Sequence, residues 1–127
     1  MTPNPRLIKE AQDWLDQLDK DLNEELWFAK SGEEFLRRME WEIHRYQGEM
    51  LEAIKVALGY WLRGNDKARS LLALDLIDRL RATEYLSELE QLRDQLQTGR
   101  LGWPLSRLDL VEIVIKHLRD VEKNQRR

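Results

Sequence analysis

Gly48-Glu49-Met50-Leu51-Glu52-Ala53-Ile54 and, past the turn Arg63-Gly64-Asn65-Asp66, Ala73-Leu74-Asp75-Leu76-Ile77-Asp78 are the stretches that decide the fold. On both sides of the turn, apolar side chains return every three or four residues, the spacing of a helix with one buried face. Gly64 suits a left-handed C-cap, and Asn65 or Asp66 suits the N-cap of the next helix. The pattern extends in both directions. Towards the N-terminus Leu36, Met39, Ile43, Tyr46, Met50, Ile54, Ala57 and Trp61 advance by threes and fours with no proline between Glu33 and Arg63. This predicts one long central helix over 33–63, about 45 Å at 1.5 Å per residue, with Gly48 and Gly59 inside it. Towards the C-terminus, segments 66–82 and 84–98 carry leucines at the same spacing, the second capped by Thr83.

At the N-terminal end, Asn4-Pro5 is a helix start, an Asn cap followed by proline at the first helical position. Leu7, Ile8, Ala11, Trp14, Leu15, Leu18 and Leu22 then form an apolar stripe over 5–22, opposite an acidic face. Asp19 to Asn23 begins like an EF-hand loop, but Glu24 stands at the turn glycine and Lys30 at the bidentate glutamate, which excludes calcium. Thr98 to Pro104 is a loop in which Gly99 ends the preceding helix. Ser106-Arg107-Leu108-Asp109 is a capping box for a last helix over 106–122, apolar nearly all round and so expected at the centre of the packing. Nothing reads as strand. The expectation is an all-α single domain over 1–127, of about five helices in an antiparallel bundle or a short stack of helical hairpins.

Composition narrows the function classes. The 127 residues carry 35% charged and 42% hydrophobic side chains, no cysteine and a net charge of −3. Disulfides, thiolate zinc sites and cysteine nucleophiles are excluded, and the charge gives no case for non-specific nucleic-acid binding. No apolar run approaches the ~18 residues of a membrane span. The first residues lack the pattern of a signal peptide, so the expected address is the cytoplasm.

Residues 68–96, with Ala68, Leu71, Leu72, Leu74, Leu76, Ile77 and Leu80 followed by Tyr85, Leu86, Leu89 and Leu92, resemble one HEAT-type helical repeat. That resemblance implies a protein-binding scaffold. Residues 46–80 resemble the all-helical, MazG-like nucleoside-triphosphate pyrophosphohydrolases, which carry an E-x-x-E pair on one helix and an E-x-x-D pair on the next. The resemblance implies that Glu49, Glu52, Asp75 and Asp78 hold magnesium at a triphosphate. This sequence departs from that pattern at Tyr46, where an acid is usual, and at Asp75, where glutamate is. Arg79, four residues after Asp75, is placed as in an ordinary helix ion pair. Arg38 and His44 match the Arg-x(4–6)-His spacing of HEPN ribonucleases, against the plainer reading of His44 as a surface helix residue. His117, one turn from Val114 and Val121, reads as a partly buried, satisfied histidine.

Five tryptophans are more than a small bundle needs. Trp14 and Trp61 lie on helix stripes and belong in or near the core. Trp41 lies off the main stripe and either covers a second packing face or is exposed for a partner. Trp27-Phe28, Trp41 and Trp103 together exceed what a minimal bundle needs and are the candidates for interaction, since tryptophan is enriched at binding hot spots. For Trp103, plugging the end of the bundle is the preferred reading and an exposed anchor the other. The leading expectation is a non-enzymatic helical protein–protein interaction or self-association module, needing no cofactor, with a protein partner or a homodimer through the 33–63 helix. The alternative is a magnesium-dependent pyrophosphohydrolase using the four carboxylates.

Overall fold

The computed structural model describes residues 3–25, 32–99 and 106–125. The fold is all-α. Its helices among the described residues are α1 Pro5–Glu25, α2 Gly32–Ile43, α3 Gly48–Arg63, α4 Lys67–Arg79, α5 Leu86–Gln97 and α6 Ser106–Gln125, with a 3-10 turn at Thr83–Tyr85. The starts follow the side chains that cap them. Asn4 Oδ1 accepts from the Arg6 amide at 2.8 Å, and Asp66 Oδ1 from the Arg69 amide at 3.1 Å. Each satisfies a donor that a helix start leaves without an intrahelical partner.

The expected long helix over 33–63 is instead two helices. The Tyr46 amide still bonds the Ile43 carbonyl at 3.0 Å, but Gly48 has φ +65°, a conformation cheap only for glycine, and the chain turns there. The turn brings Tyr46 edge-on to Trp14, ring centroids 5.0 Å apart and planes at 77°. Gly64 differs from expectation too: at φ −77° it is extended rather than left-handed. Its amide bonds the Trp61 carbonyl, and the buried Ser70 hydroxyl donates to that same carbonyl at 3.0 Å.

The helices gather into two compact units, Met1–Leu76 and Ile77–Arg127. In the first, α3 is the main partner of α1, and α2 also packs on α1. Asn4 meets Glu49 and Asp16 meets Trp61, each pair 45 residues apart, so α1 and α3 run parallel. α2, a short return helix, stands between them in the chain. The core of this unit includes Ala11, Leu15, Met39, Ile43, Ile54, Leu58 and Leu74, all at most 1% exposed. Burying a leucine-sized side chain stabilises by roughly 1.5–3 kcal/mol, so this apolar seam supplies the main driving force.

In the second unit α6 packs on α5, and both meet the 3-10 turn. Its core includes Ile77, Ala82, Leu89, Leu96, Val111, Val114, Ile115 and Leu118. α6 is amphipathic rather than centrally enclosed: Ile113 is 49% exposed, and Glu112, Lys116 and Arg119 share the open side. The end of α4 forms a Schellman-type cap, with the Ala82 amide on the Ile77 carbonyl and the Arg81 amide on that of Asp78. Arg81 takes the left-handed position at φ +54°, where glycine is usual. The pairs that pack most extensively are α1 with α3 in the first unit and α5 with α6 in the second.

Candidate functional site

The outer side of α2 is where chemistry and exposure coincide. Met39 and Ile43 face the core, which turns the residues half a turn away from them to solvent. Centred there is Trp41, 59% exposed, the most exposed large apolar side chain among the described residues. Its neighbours one turn away in either direction are Arg37, Arg38, His44 and Arg45, all basic. The Arg45 and Arg38 guanidinium carbons lie 5.6 and 6.0 Å from the indole centroid, within range of a cation–π attraction.

Carboxylates steady these arginines from the edges. Arg45 Nη1 donates to Glu42 Oε2 at 3.2 Å, and Arg38 Nη1 to Glu25 Oε1 at 3.2 Å, a contact that also ties α2 to the end of α1. Arg37 Nε lies 3.9 Å from Glu33, a loose pair with the Arg37 side chain 72% exposed. The Nε of Arg38 is buried without a hydrogen-bond partner, its nearest carboxylate Glu42 at 3.7 Å. Between α1 and α2 lies a cleft of about 290 Å³ walled by Trp14, Leu18 and Leu22 and edged by Asp21, Glu25 and Arg38. Trp27, Phe28 and Trp103, the other aromatic candidates, lie outside the described residues.

The four central carboxylates are placed as follows. Glu49, exposed in the first turn of α3, accepts from the Asn4 amide at 3.1 Å and so caps the start of α1. Glu52 pairs with Lys55 at 3.4 Å. Asp75 is half-buried on α4 and engaged within the fold. Asp78, in the second unit, holds His117: the Nδ1 of His117 lies 3.0 and 3.2 Å from the two carboxylate oxygens. Among the described residues no three histidine, aspartate or glutamate side chains gather as a metal-ligating group. His117 is thus not the partly buried histidine its spacing implied but an exposed one, its side chain 54% accessible. His44 is exposed in the turn after α2, while Arg38 of the ribonuclease-like spacing is tied to Glu25 and Glu42.

One constellation was not legible in the sequence. Arg69 Nη1 reaches Asp16 Oδ1 at 2.9 Å and its Nε reaches Asp19 Oδ2 at 3.2 Å, with the guanidinium 4.7 Å from the Trp61 ring centroid. Trp61 Nε1 donates to the same Asp16 oxygen at 3.3 Å. This cluster binds α1, α3 and α4 together. In the second unit a cleft of about 300 Å³ has Arg93, Lys116 and Arg119 facing Glu112 and Asp120, and Arg119 is already paired with Glu90 at 2.7 Å. Its charges offset one another, leaving no site biased towards anion or cation. Comparison with protein families, curated proteins and solved structures gave no match.

Proposed function

We propose that this chain is a non-enzymatic helical module that binds another protein, or a second copy of itself, through the outer face of α2. The observation that carries the reading is Trp41, left 59% exposed on an ordered helix with basic side chains one turn to either side. An exposed indole contributes nothing to the core, and tryptophan and arginine together are the residues over-represented at binding hot spots. A cytoplasmic address fits a cysteine-free chain, and among the described residues no helix is long and apolar enough to cross a membrane.

Two measurements test this reading. Light scattering on the eluting protein, up to high micromolar concentration, should show self-association that Trp41→Ala removes, if the partner is a second copy. If the protein stays monomeric, a photoreactive residue at position 41 should form a discrete adduct in cells, while the same residue at exposed Lys123 should not. Monomer throughout, with no adduct specific to position 41, sinks the proposal. No geometric observation favours the pyrophosphohydrolase alternative: Glu49, Glu52 and Asp78 are engaged by Asn4, Lys55 and His117.

A further inference from the structure

We propose that the outer face of α2 recognises an acidic amphipathic helix of a partner protein, one presenting a carboxylate, an apolar side chain and a second carboxylate on successive turns. The inference rests on the reading of Trp41 as an anchor and adds the chemistry of what it meets.

The spacing sets the geometry. Arg37 stands four residues before Trp41, its Cα roughly 6 Å back along the helix axis, and Arg45 follows in the turn after Ile43 with its guanidinium carbon 5.6 Å from the indole centroid. A second helix laid against this face repeats its side chains at the same pitch. An apolar residue over the indole then places residues one turn away over Arg37 and Arg45. Those two guanidinia have donors to spare. Each carries five N–H groups, while the recorded carboxylate contacts are one at 3.2 Å for Arg45 and a loose one at 3.9 Å for Arg37. Their side chains are 64% and 72% exposed, open to a planar, two-point carboxylate contact. His44 and Arg38 widen the basic ring, and no acid occupies a position three or four residues from Trp41.

The surroundings select a short acidic segment over a long polyanion. Glu33, Glu34, Glu40 and Glu42 flank the ring on the same helix, and the whole chain has a net charge of −3. A continuous run of phosphates would extend beyond the arginines and lie against those acids. Two carboxylates at helical spacing reach the free N–H groups of Arg37 and Arg45 without running on past them.

The test uses the full chain and synthetic helical peptides carrying Glu-x-x-x-Leu-x-x-x-Glu or its Lys-x-x-x-Leu-x-x-x-Lys counterpart, titrated by calorimetry at low and high salt. The glutamate peptide should bind about tenfold tighter than the lysine peptide, and high salt should erase the preference. Trp41→Ala should weaken it about tenfold, and Arg37→Glu with Arg45→Glu should reverse the preference so that the lysine peptide binds better. These positions are exposed, so an unchanged far-ultraviolet spectrum and melting temperature will accompany the loss. Equal binding of both peptides, or binding indifferent to the substitutions, overturns the proposal. So does oligothymidylate binding that the double variant abolishes, or salt-sensitive self-association that it abolishes; these assign the face to nucleic acid or to a second copy. If neither peptide binds but the adduct at position 41 persists, the acidic partner is wrong and the interaction module stands.

Discussion

Trp61 and Trp41 lie in the same compact unit, and each has an arginine guanidinium over its indole and carboxylates behind the arginine. At Trp61 the set is closed: the ring is 8% exposed, the guanidinium sits at 4.7 Å, and Asp16 and Asp19 bind that guanidinium from α1. At Trp41 the set is open: the residue is 59% exposed, the guanidinia sit at 5.6 and 6.0 Å, and their acids, Glu42 on the same helix and Glu25 at the end of α1, leave the indole facing outward. The same residue types therefore do two jobs, decided by whether another helix of the fold supplies the opposite wall. Trp61 has α1 and α4 around it, whereas Trp41 faces outward from a helix whose core side is already used by Met39 and Ile43.

The sharpest way to break this comparison is one substitution made twice. Trp61→Ala should cost about 3–5 kcal/mol of unfolding free energy, the usual loss for a large buried aromatic. Trp41→Ala should stay within about 0.5 kcal/mol, as exposed sites do. Urea denaturation followed by circular dichroism measures both. Comparable losses at the two positions would mean that Trp41 is enclosed and would remove the ground for calling it an anchor.

Next in size is Arg69. Removing it as Arg69→Ala leaves Asp16 and Asp19 without their cation and uncovers one face of Trp61. The expected cost is about 1–3 kcal/mol, the range for hydrogen bonds to charged groups, with the lower half favoured because Asp16 is 52% exposed. Arg45→Ala, which takes the corresponding cation from Trp41, should leave the denaturation midpoint unchanged. A double-mutant cycle between Asp19 and Arg69 should show coupling, since Asp19 is the more buried acid, 16% exposed.

How much of this was legible follows from what periodicity can report. The helices of both units were legible because their apolar residues face a core, and Trp41 stood out because it leaves that stripe. The break between α2 and α3 was hidden, since Ile43, Tyr46 and Met50 keep the three- and four-residue steps straight through the turn. Tyr46 satisfies the stripe while reaching sideways to Trp14. The only local signal was Gly48 itself. Arg69 and Asp16 are 53 residues apart, and nothing in either neighbourhood announces the other. The carboxylates were legible as pairs on one helix face, but their partners across the fold depend on helix register, which spacing within a helix does not set.

Arg81 offers a gain instead of a loss. It holds the left-handed position of the cap ending α4, at φ +54°, where a side chain is strained and glycine is not. Arg81→Gly should stabilise by about 0.5–1 kcal/mol, the left-handed strain exceeding the extra freedom that glycine gives the unfolded chain. Gly99, at φ +73° after α5, already has the favoured residue, so Gly99→Ala should lose a similar amount. The two substitutions should move the melting temperature in opposite directions.

An effect as small as that at Arg81 separates the two readings of Glu49. As a cap, its carboxylate accepts from the Asn4 amide at the start of α1 and lies in the first turn of α3, where a negative charge is favoured by both helix dipoles. Glu49→Ala should then cost about 0.5–1 kcal/mol, or roughly 2–4 °C in melting temperature for a chain of this size. Glu49→Gln, which keeps an acceptor, should recover part of it. As a magnesium ligand, Glu49 instead predicts that magnesium with a nucleoside triphosphate raises the melting temperature of the native chain and that Glu49→Ala removes that rise. Melting curves with and without both additions decide between them. A loss that is identical in their presence and absence marks a cap, because a hydrogen bond between α1 and α3 involves no ligand. A rise confined to the native chain marks a metal site and would return the nucleotide chemistry to first place.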